Sequence, residues 1–206
     1  MIKSLARFAT VLAVVSMFAG VARAADGYTE VNPPQPTDTG NKIEVIEFFW
    51  YGCPHCYRFH PLLEEWKASL PDDVVFKPVP GVLNPSWVNH ARAYYAAEVM
   101  GVVDKLHDPL FQALHKQRKR IFKMDDLADF AAEQGIDRDK FLATMTSFAV
   151  ETSIRRSQQL ARAYRINGVP TIAINGKYLT SGSLAGSYPR AIQIMNELIE
   201  KERSGG

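Results

Sequence analysis

Cys53 and Cys56 are the only cysteines of the chain, and they stand three apart where a strand-like run gives way to a helical one. Upstream, Ile43-Glu44-Val45-Ile46-Glu47-Phe48-Phe49 is mostly apolar, as a central strand covered on both faces must be. Gly52 breaks the run. Downstream, Phe59, Leu62, Leu63 and Trp66 fall at i, i+3, i+4 and i+7, which predicts a helix over 57–70. Pro71-Asp72-Asp73 makes a turn, and Val74–Val79 reads as a second strand. The unit is βαβ, with the cysteine pair at the helix N-terminus.

Residues 25–41 are rich in turn formers and predict a run along the surface. Helical periodicity dominates 84–165, with helices expected near 86–100, 102–118, 125–134 and 138–165. The last span is long enough for one bent helix or two. Asp125 and Asp137 are expected N-caps, and Gly101 and Gly135 mark helix ends. Thr171–Ile174, the hairpin pair Asn175-Gly176 and Lys177–Leu179 bring strands back. An amphipathic helix over 187–202 closes the chain. The predicted fold is an α/β domain interrupted by an all-helical insertion.

The N-terminus has the layout of a cleavable secretory signal peptide. Lys3 and Arg7 precede the apolar run Phe8–Gly20, and Ala22-Arg23-Ala24 supplies the small residues of a cleavage site. A membrane anchor would need about 20 apolar residues, more than this run holds. Cleavage after Ala24 removes three basic residues and leaves 21 against 22 acidic ones. So balanced a charge gives no ground for nucleic-acid binding. Exported chains normally use cysteines to staple small folds, and a chain of this length needs no staple. The pair is better explained by reactivity.

A thiol–disulfide exchanger needs an accessible thiolate, a second cysteine close enough to form a disulfide with it, and a means of lowering the first one's pKa. Cys53 at a helix N-terminus meets unpaired backbone N–H groups and the positive end of the helix dipole. Cys56, one turn in, is expected to be buried. Pro54 falls where a missing N–H does no harm. His55 adds a donor and, when protonated, a positive charge. A better stabilised Cys53 thiolate leaves more readily, so these terms favour an oxidant over a reductant. Zinc is the competing use of a Cys-x-x-Cys, but a structural site wants four ligands and no second pair exists. An inert disulfide closing so short a loop gains little.

Ile46-Glu47-Phe48-Phe49-Trp50-Tyr51-Gly52-Cys53-Pro54-His55-Cys56-Tyr57 resembles the active-site segment of the DsbA family of periplasmic thiol:disulfide interchange proteins. Val169-Pro170-Thr171 resembles that family's valine and cis-proline. The resemblance implies a thioredoxin fold, with a signal peptide at 1–24, a first part at 25–83, a helical insertion at 84–165 and a second part at 166–206. It implies that Cys53 is the exposed nucleophile, Cys56 the resolving cysteine and His55 the tuner of the thiolate. Pro170 would face the disulfide, and the Val169 backbone would pair with substrate like an added strand. Glu47 matches a buried acid that assists proton transfer to Cys56, which suits a carboxyl group on an apolar strand. Compared with the Gly-Pro of thioredoxin, Pro-His favours the thiolate more.

The resemblance also implies a periplasmic monomer whose sole redox group is the Cys53–Cys56 disulfide, without metal or organic cofactor. Its partners would be unfolded or newly exported cysteine-containing proteins, with a DsbB-type inner-membrane protein for reoxidation. Two alternatives stay open: a reductase or isomerase of the same fold, and a chaperone-like peptide-binding module. His60 stands where the family often has an acid and reads as a solvated surface residue. Glu44 reads as solvent-facing, and Lys77 is a loose match to a basic residue of the family's second strand. Lys116, Arg118, Lys119, Arg120 and Lys123 read as a solvated helix end. Trp50 and Tyr51 would leave apolar surface beside the cysteines.

Overall fold

The computed structural model describes residues 26–205. The expected signal peptide lies outside the described residues. Strand β2 (Ile43–Phe49) is buried along its whole length, because it is an interior strand of a five-stranded sheet. The others are β1 (Tyr28–Glu30), β3 (Val74–Pro80), β4 (Thr171–Ile174) and β5 (Tyr178–Thr180), in the order β1-β5-β4-β2-β3. β2 and β3 run parallel, joined by helix α1 (Pro54–Ala68), as the βαβ reading predicted. β4 is antiparallel to both β2 and β5.

Between β3 and β4 come a 3₁₀ turn at Pro85–Trp87 and helices α2 (Val88–Val99), α3 (Val103–His115), α4 (Met124–Glu133), α5 (Arg138–Met145) and α6 (Phe148–Ala163). The span 138–165 is therefore two helices. The break falls where Ser147 turns extended and its hydroxyl accepts from Val150 N–H. Asp137 caps α5 as expected. Asp125 does not cap α4: that helix starts earlier, and Asp126 reaches back to accept from the Lys123 N–H. After β5 come the short α7 (Gly182–Ala185) and α8 (Tyr188–Ser204). Among the described residues, no helix is long and apolar enough to cross a membrane.

Alternation along β2 divides the core. Ile43 and Val45 face α1 and α8, packing with Phe59, Leu63, Ile194 and Met195. Ile46 and Phe48 face the other way, under Ala161 and Tyr164 at the end of α6. A third cluster joins Phe49, Tyr51, Cys53 and Cys56 to α2–α6. The cysteines thus sit on the seam between the sheet's end and the helical layer. The N-terminal run is not all surface coil, since β1 pairs with β5 and Gln35 N–H donates to Gly176. Three strand residues, two of them polar, give no readable period.

Candidate active site

The turn into α1 is shaped by Gly52. A Cβ there would lie 2.3 Å from the Trp50 ring, so the indole lies directly over the glycine backbone. Trp50 stacks in turn on Trp87, with centroids 4.3 Å apart. Cys53 N–H bonds to Trp50 O at 2.9 Å. Cys53 is the N-cap residue of α1, extended at φ −87°, with its sulfur accepting from the Cys56 N–H at 3.4 Å. Pro54 takes the first helical position, where no intrahelical N–H is needed.

Both cysteines are free thiols in this structure. Cys53 keeps 7% of its surface exposed and Cys56 none, so only Cys53 offers a sulfur to a partner. The environment drives their acidities apart. The hydrogen bond from Cys56 is the largest influence lowering the Cys53 pKa to about 6, helped by the backbone N–H groups of Cys56 and His55 and opposed by burial. Burial, then the bond to Cys53 and the charge of Glu47, hold Cys56 well above the ordinary thiol range. These environments favour the thiolate at Cys53 and the thiol at Cys56 near neutral pH.

Glu47 is buried on the α1-facing side of β2, and burial lifts its pKa to about 8, with the charges of Glu64 and Cys53 adding to the rise. The bond Val169–Pro170 is cis. Val169 O accepts from the Cys53 thiol at 3.4 Å, so the cis-proline loop faces the reactive sulfur. His55 is exposed, its Nδ1 within 2.9 Å of Arg58 Nη2 and 3.0 Å of Tyr188 Oη. Beside it opens a groove of about 960 Å³ whose walls include Val31, Arg58, Ile166, Pro170 and Tyr188.

Several neighbouring residues differ from expectation. His60 is 5% exposed rather than solvated, packed between His107 and Phe111, because α3 covers that face of α1. Glu44 is 3% exposed and pairs with Lys77 at 2.8 Å, since α6 closes the second sheet face over it. Lys77, which also meets Asp38, is thereby held on the face away from Glu47. The cation acting on Glu47 is Lys67 of α1. Tyr51 is buried, its hydroxyl 2.8 Å from His107 Nδ1, and leaves no apolar surface. Lys116, Arg118, Lys119, Arg120 and Lys123 are exposed, as expected, but they follow the loop from the end of α3 to the start of α4 instead of one helix end, with Ile121 buried among them. Arg58 and Tyr188 were not singled out from the sequence. The i, i+3 spacing of His55 and Arg58 was a usable signal, whereas nothing local links position 188 to position 55.

A sulfur at a helix N-terminus that favours the thiolate, a buried partner thiol and the Val169 carbonyl before the cis-proline opposite define a protein that exchanges dithiol and disulfide on a thioredoxin-type sheet. Known proteins agree. Residues 63–187 match the family model described as DSBA-like thioredoxin domain. The thiol:disulfide interchange protein DsbA of Pseudomonas aeruginosa is 41% identical over 94% of this chain and 94% of its own. That of Bordetella parapertussis is 41% identical over 95% and 94%. The crystal structure of the Pseudomonas aeruginosa protein superposes with a TM-score of 0.83 at 40% identity, covering 87% of this chain and 93% of that one. DsbA from Xylella fastidiosa gives 0.81 at 35% identity, covering 86% and 96%. The chain belongs to the DsbA family of thiol:disulfide oxidoreductases, a thioredoxin fold carrying a helical insertion.

Proposed function

We propose that the chain works as a disulfide donor in the periplasm, oxidising cysteine pairs of newly exported proteins. A substrate thiolate attacks Cys53 Sγ of the Cys53–Cys56 disulfide. A mixed disulfide forms, and the Cys56 sulfur leaves and takes up a proton. A second substrate thiolate then attacks the substrate sulfur of that bond, and Cys53 leaves as thiolate. The substrate loses two electrons and two protons to form its own disulfide, and the pair gains the two electrons.

The observation that carries this direction is the unequal placing of the two sulfurs: Cys53 caps the helix and accepts the Cys56 N–H, while Cys56 is wholly buried, which drives their acidities apart. A thiolate comfortable at neutral pH is a good leaving group, and it stabilises the reduced pair that oxidation of substrate leaves behind. The proton that Cys56 needs comes in this reading from Glu47, a role supported by its burial, its pKa near 8 and the influence of its charge on Cys56. When Cys53 is ionised it no longer donates to Val169 O, which frees that carbonyl to accept from a substrate backbone N–H beside Pro170. The signal-peptide layout at 1–24 supports export, and catalytic turnover requires an oxidant to restore the disulfide, a part that the family resemblance gives to a DsbB-type inner-membrane protein.

Thiolate absorbance of the reduced protein, followed against pH, tests the reading together with its equilibrium against glutathione. The expected result is a midpoint for Cys53 near 6 and an equilibrium in which glutathione readily reduces the pair. A Cys53 thiol fully protonated at pH 7, or a disulfide as hard to reduce as that of thioredoxin, would rule out the donor role in favour of a reductase.

A further inference from the structure

Lys116, Arg118, Lys119, Arg120 and Lys123 crowd into one short loop of a chain whose cleaved form is close to neutral. All five are exposed. Lys119 pairs with Glu133, whereas the other four pair with no carboxylate among the described residues. The acids that follow in the sequence have other partners: Asp125 pairs with Arg138, and Asp126 accepts from the Lys123 N–H. Phe122 stands among these cations with 44% of its surface exposed, next to the buried Ile121. We propose that the loop between α3 and α4 is a docking surface for an anionic lipid bilayer, which it meets with the Cys53 end of the molecule turned toward the membrane.

The loop's backbone is fixed at both ends. Gln117 N–H donates to Gln112 O at 3.0 Å and Lys119 N–H to Ala113 O at 2.9 Å, which closes off α3. The turn puts Arg118 at φ 58°, a left-handed conformation that favours glycine over a long side chain. His90 Nε2 donates to Ile121 O at 2.7 Å, and Asn89 Nδ2 to Phe122 O at 3.0 Å. The Phe122 ring stacks on His90 with centroids 5.2 Å apart. Both ends also reach the active-site turn. His115, the last residue of α3, donates from Nε2 to Tyr51 O at 2.7 Å, and the His90 ring lies 5.9 Å from that of Tyr51. Tyr51 stands just before Gly52 and Cys53, so the loop belongs to the Cys53 end of the molecule.

Cations alone would suit any polyanion. Phe122 narrows the choice, because an apolar ring between cations gains by entering the boundary of head groups and acyl chains while the cations meet the lipid phosphates. An acidic peptide would satisfy the cations and leave the ring in water. Each Lys or Arg held near an anionic surface gains about fivefold in partition, the equivalent of about 1 kcal/mol. Four such groups and one ring give weak, reversible binding that salt abolishes. Such binding brings Cys53 to the surface where the family resemblance puts its oxidant. The proposal goes beyond the donor reading and does not depend on it.

The chain cleaved after Ala24 is tested by sedimentation with vesicles of phosphatidylcholine, alone or with phosphatidylglycerol added, at low and high salt. The parent is compared with Lys116→Gln/Arg118→Gln/Arg120→Gln/Lys123→Gln and with Phe122→Ser. A control, Lys42→Gln/Lys105→Gln/Lys140→Gln/Arg155→Gln, removes the same charge from exposed positions elsewhere. The parent should bind the anionic vesicles at low salt and leave them at high salt. Neutralising the loop should cut partition by about 25-fold or more, the share of two or more cations at the surface. Phe122→Ser should cut it by about three- to tenfold, and the control should bind nearly as the parent does. All should keep the parent's Cys53 midpoint, because none of the altered groups acts on that sulfur. A parent indifferent to phosphatidylglycerol, a control that loses as much as the loop variant, or a Phe122→Ser protein that binds as tightly as the parent overturns the proposal. So does a parent that ignores the vesicles but binds polyglutamate through the same four residues, which assigns the loop to an acidic protein partner. A parent that binds as expected while its Cys53 stays protonated at pH 7 refutes the donor reading and leaves the docking surface standing.

Discussion

Glu47 is a carboxyl group placed where water reaches it poorly, so folding prefers it protonated. Its pKa rises from 4.5 to about 8 in the fold. Between those values the folded chain holds a proton that the unfolded chain has lost, so stability from this group falls as pH rises. Glu47→Gln is therefore expected to stabilise the protein by on the order of 3 kcal/mol at pH 7 and to make little difference near pH 4. Urea unfolding of both proteins at the two pH values measures this, and equal gains at both would refute the cause given. Glu47 was marked by the family resemblance, whereas Cys53 and Cys56 were legible as candidates because strand and helix patterns locate them without any tertiary knowledge. Glu44 and His60 were misread for the same reason. What covers them, α6 and α3, comes from far along the chain, and a strand or helix pattern cannot say which side a distant helix will take.

At the scale of elements, β2, α1, β3, the hairpin and α8 followed their periodicity closely, while β1 and α7 were too short to carry one. The β4–β5 hairpin shows how much a single turn can hold. Asn175 and Gly176 both adopt positive φ, 47° and 71°, as a two-residue hairpin turn with the strands' own twist requires. A Cβ on Gly176 would also lie 1.9 Å from the Gln35 carbonyl oxygen, and that segment donates and bonds back to the turn. Gly176→Ala combines a left-handed backbone penalty with a backbone clash, and the expected loss is roughly 2–4 kcal/mol. The N-terminal run should detach with it, read as faster amide exchange at Val31 and Gln35. Gly52→Ala is the corresponding case at the site. There the obstacle is the Trp50 ring, so the indole must leave Trp87. A cost of about 1–3 kcal/mol, with a change in tryptophan fluorescence, is expected. Unaltered fluorescence in a folded Gly52→Ala protein would show that the stack does not depend on the glycine.

Across the whole molecule, the joint between sheet and helical layer is lined with histidines. His60 of α1, His90 of α2 and His107 of α3 are buried there. His90 donates from Nε2 to Ile121 O at 2.7 Å, and His107 meets Tyr51. Burial holds His90 near 4 and His107 near 3, and lowers His60. Unfolded, each returns toward the ordinary 6.5, so unfolding in mild acid takes up protons. For a group with a lowered histidine pKa the stabilisation is complete above 6.5 and is lost as pH falls toward the folded value. Glu47 works in the opposite sense over 4.5–8, but it is one carboxyl against at least two imidazoles. Near pH 5 the net uptake from these groups is about one proton, a slope of roughly 1.4 kcal/mol per pH unit. Stability should therefore decline between pH 6 and pH 4, with the helical layer separating from the sheet. His107→Gln offers Tyr51 an acceptor that does not titrate, and should flatten that decline by close to one proton. Urea midpoints across this range measure both slopes. An acid decline as steep in His107→Gln as in the parent would place the proton uptake somewhere other than this joint.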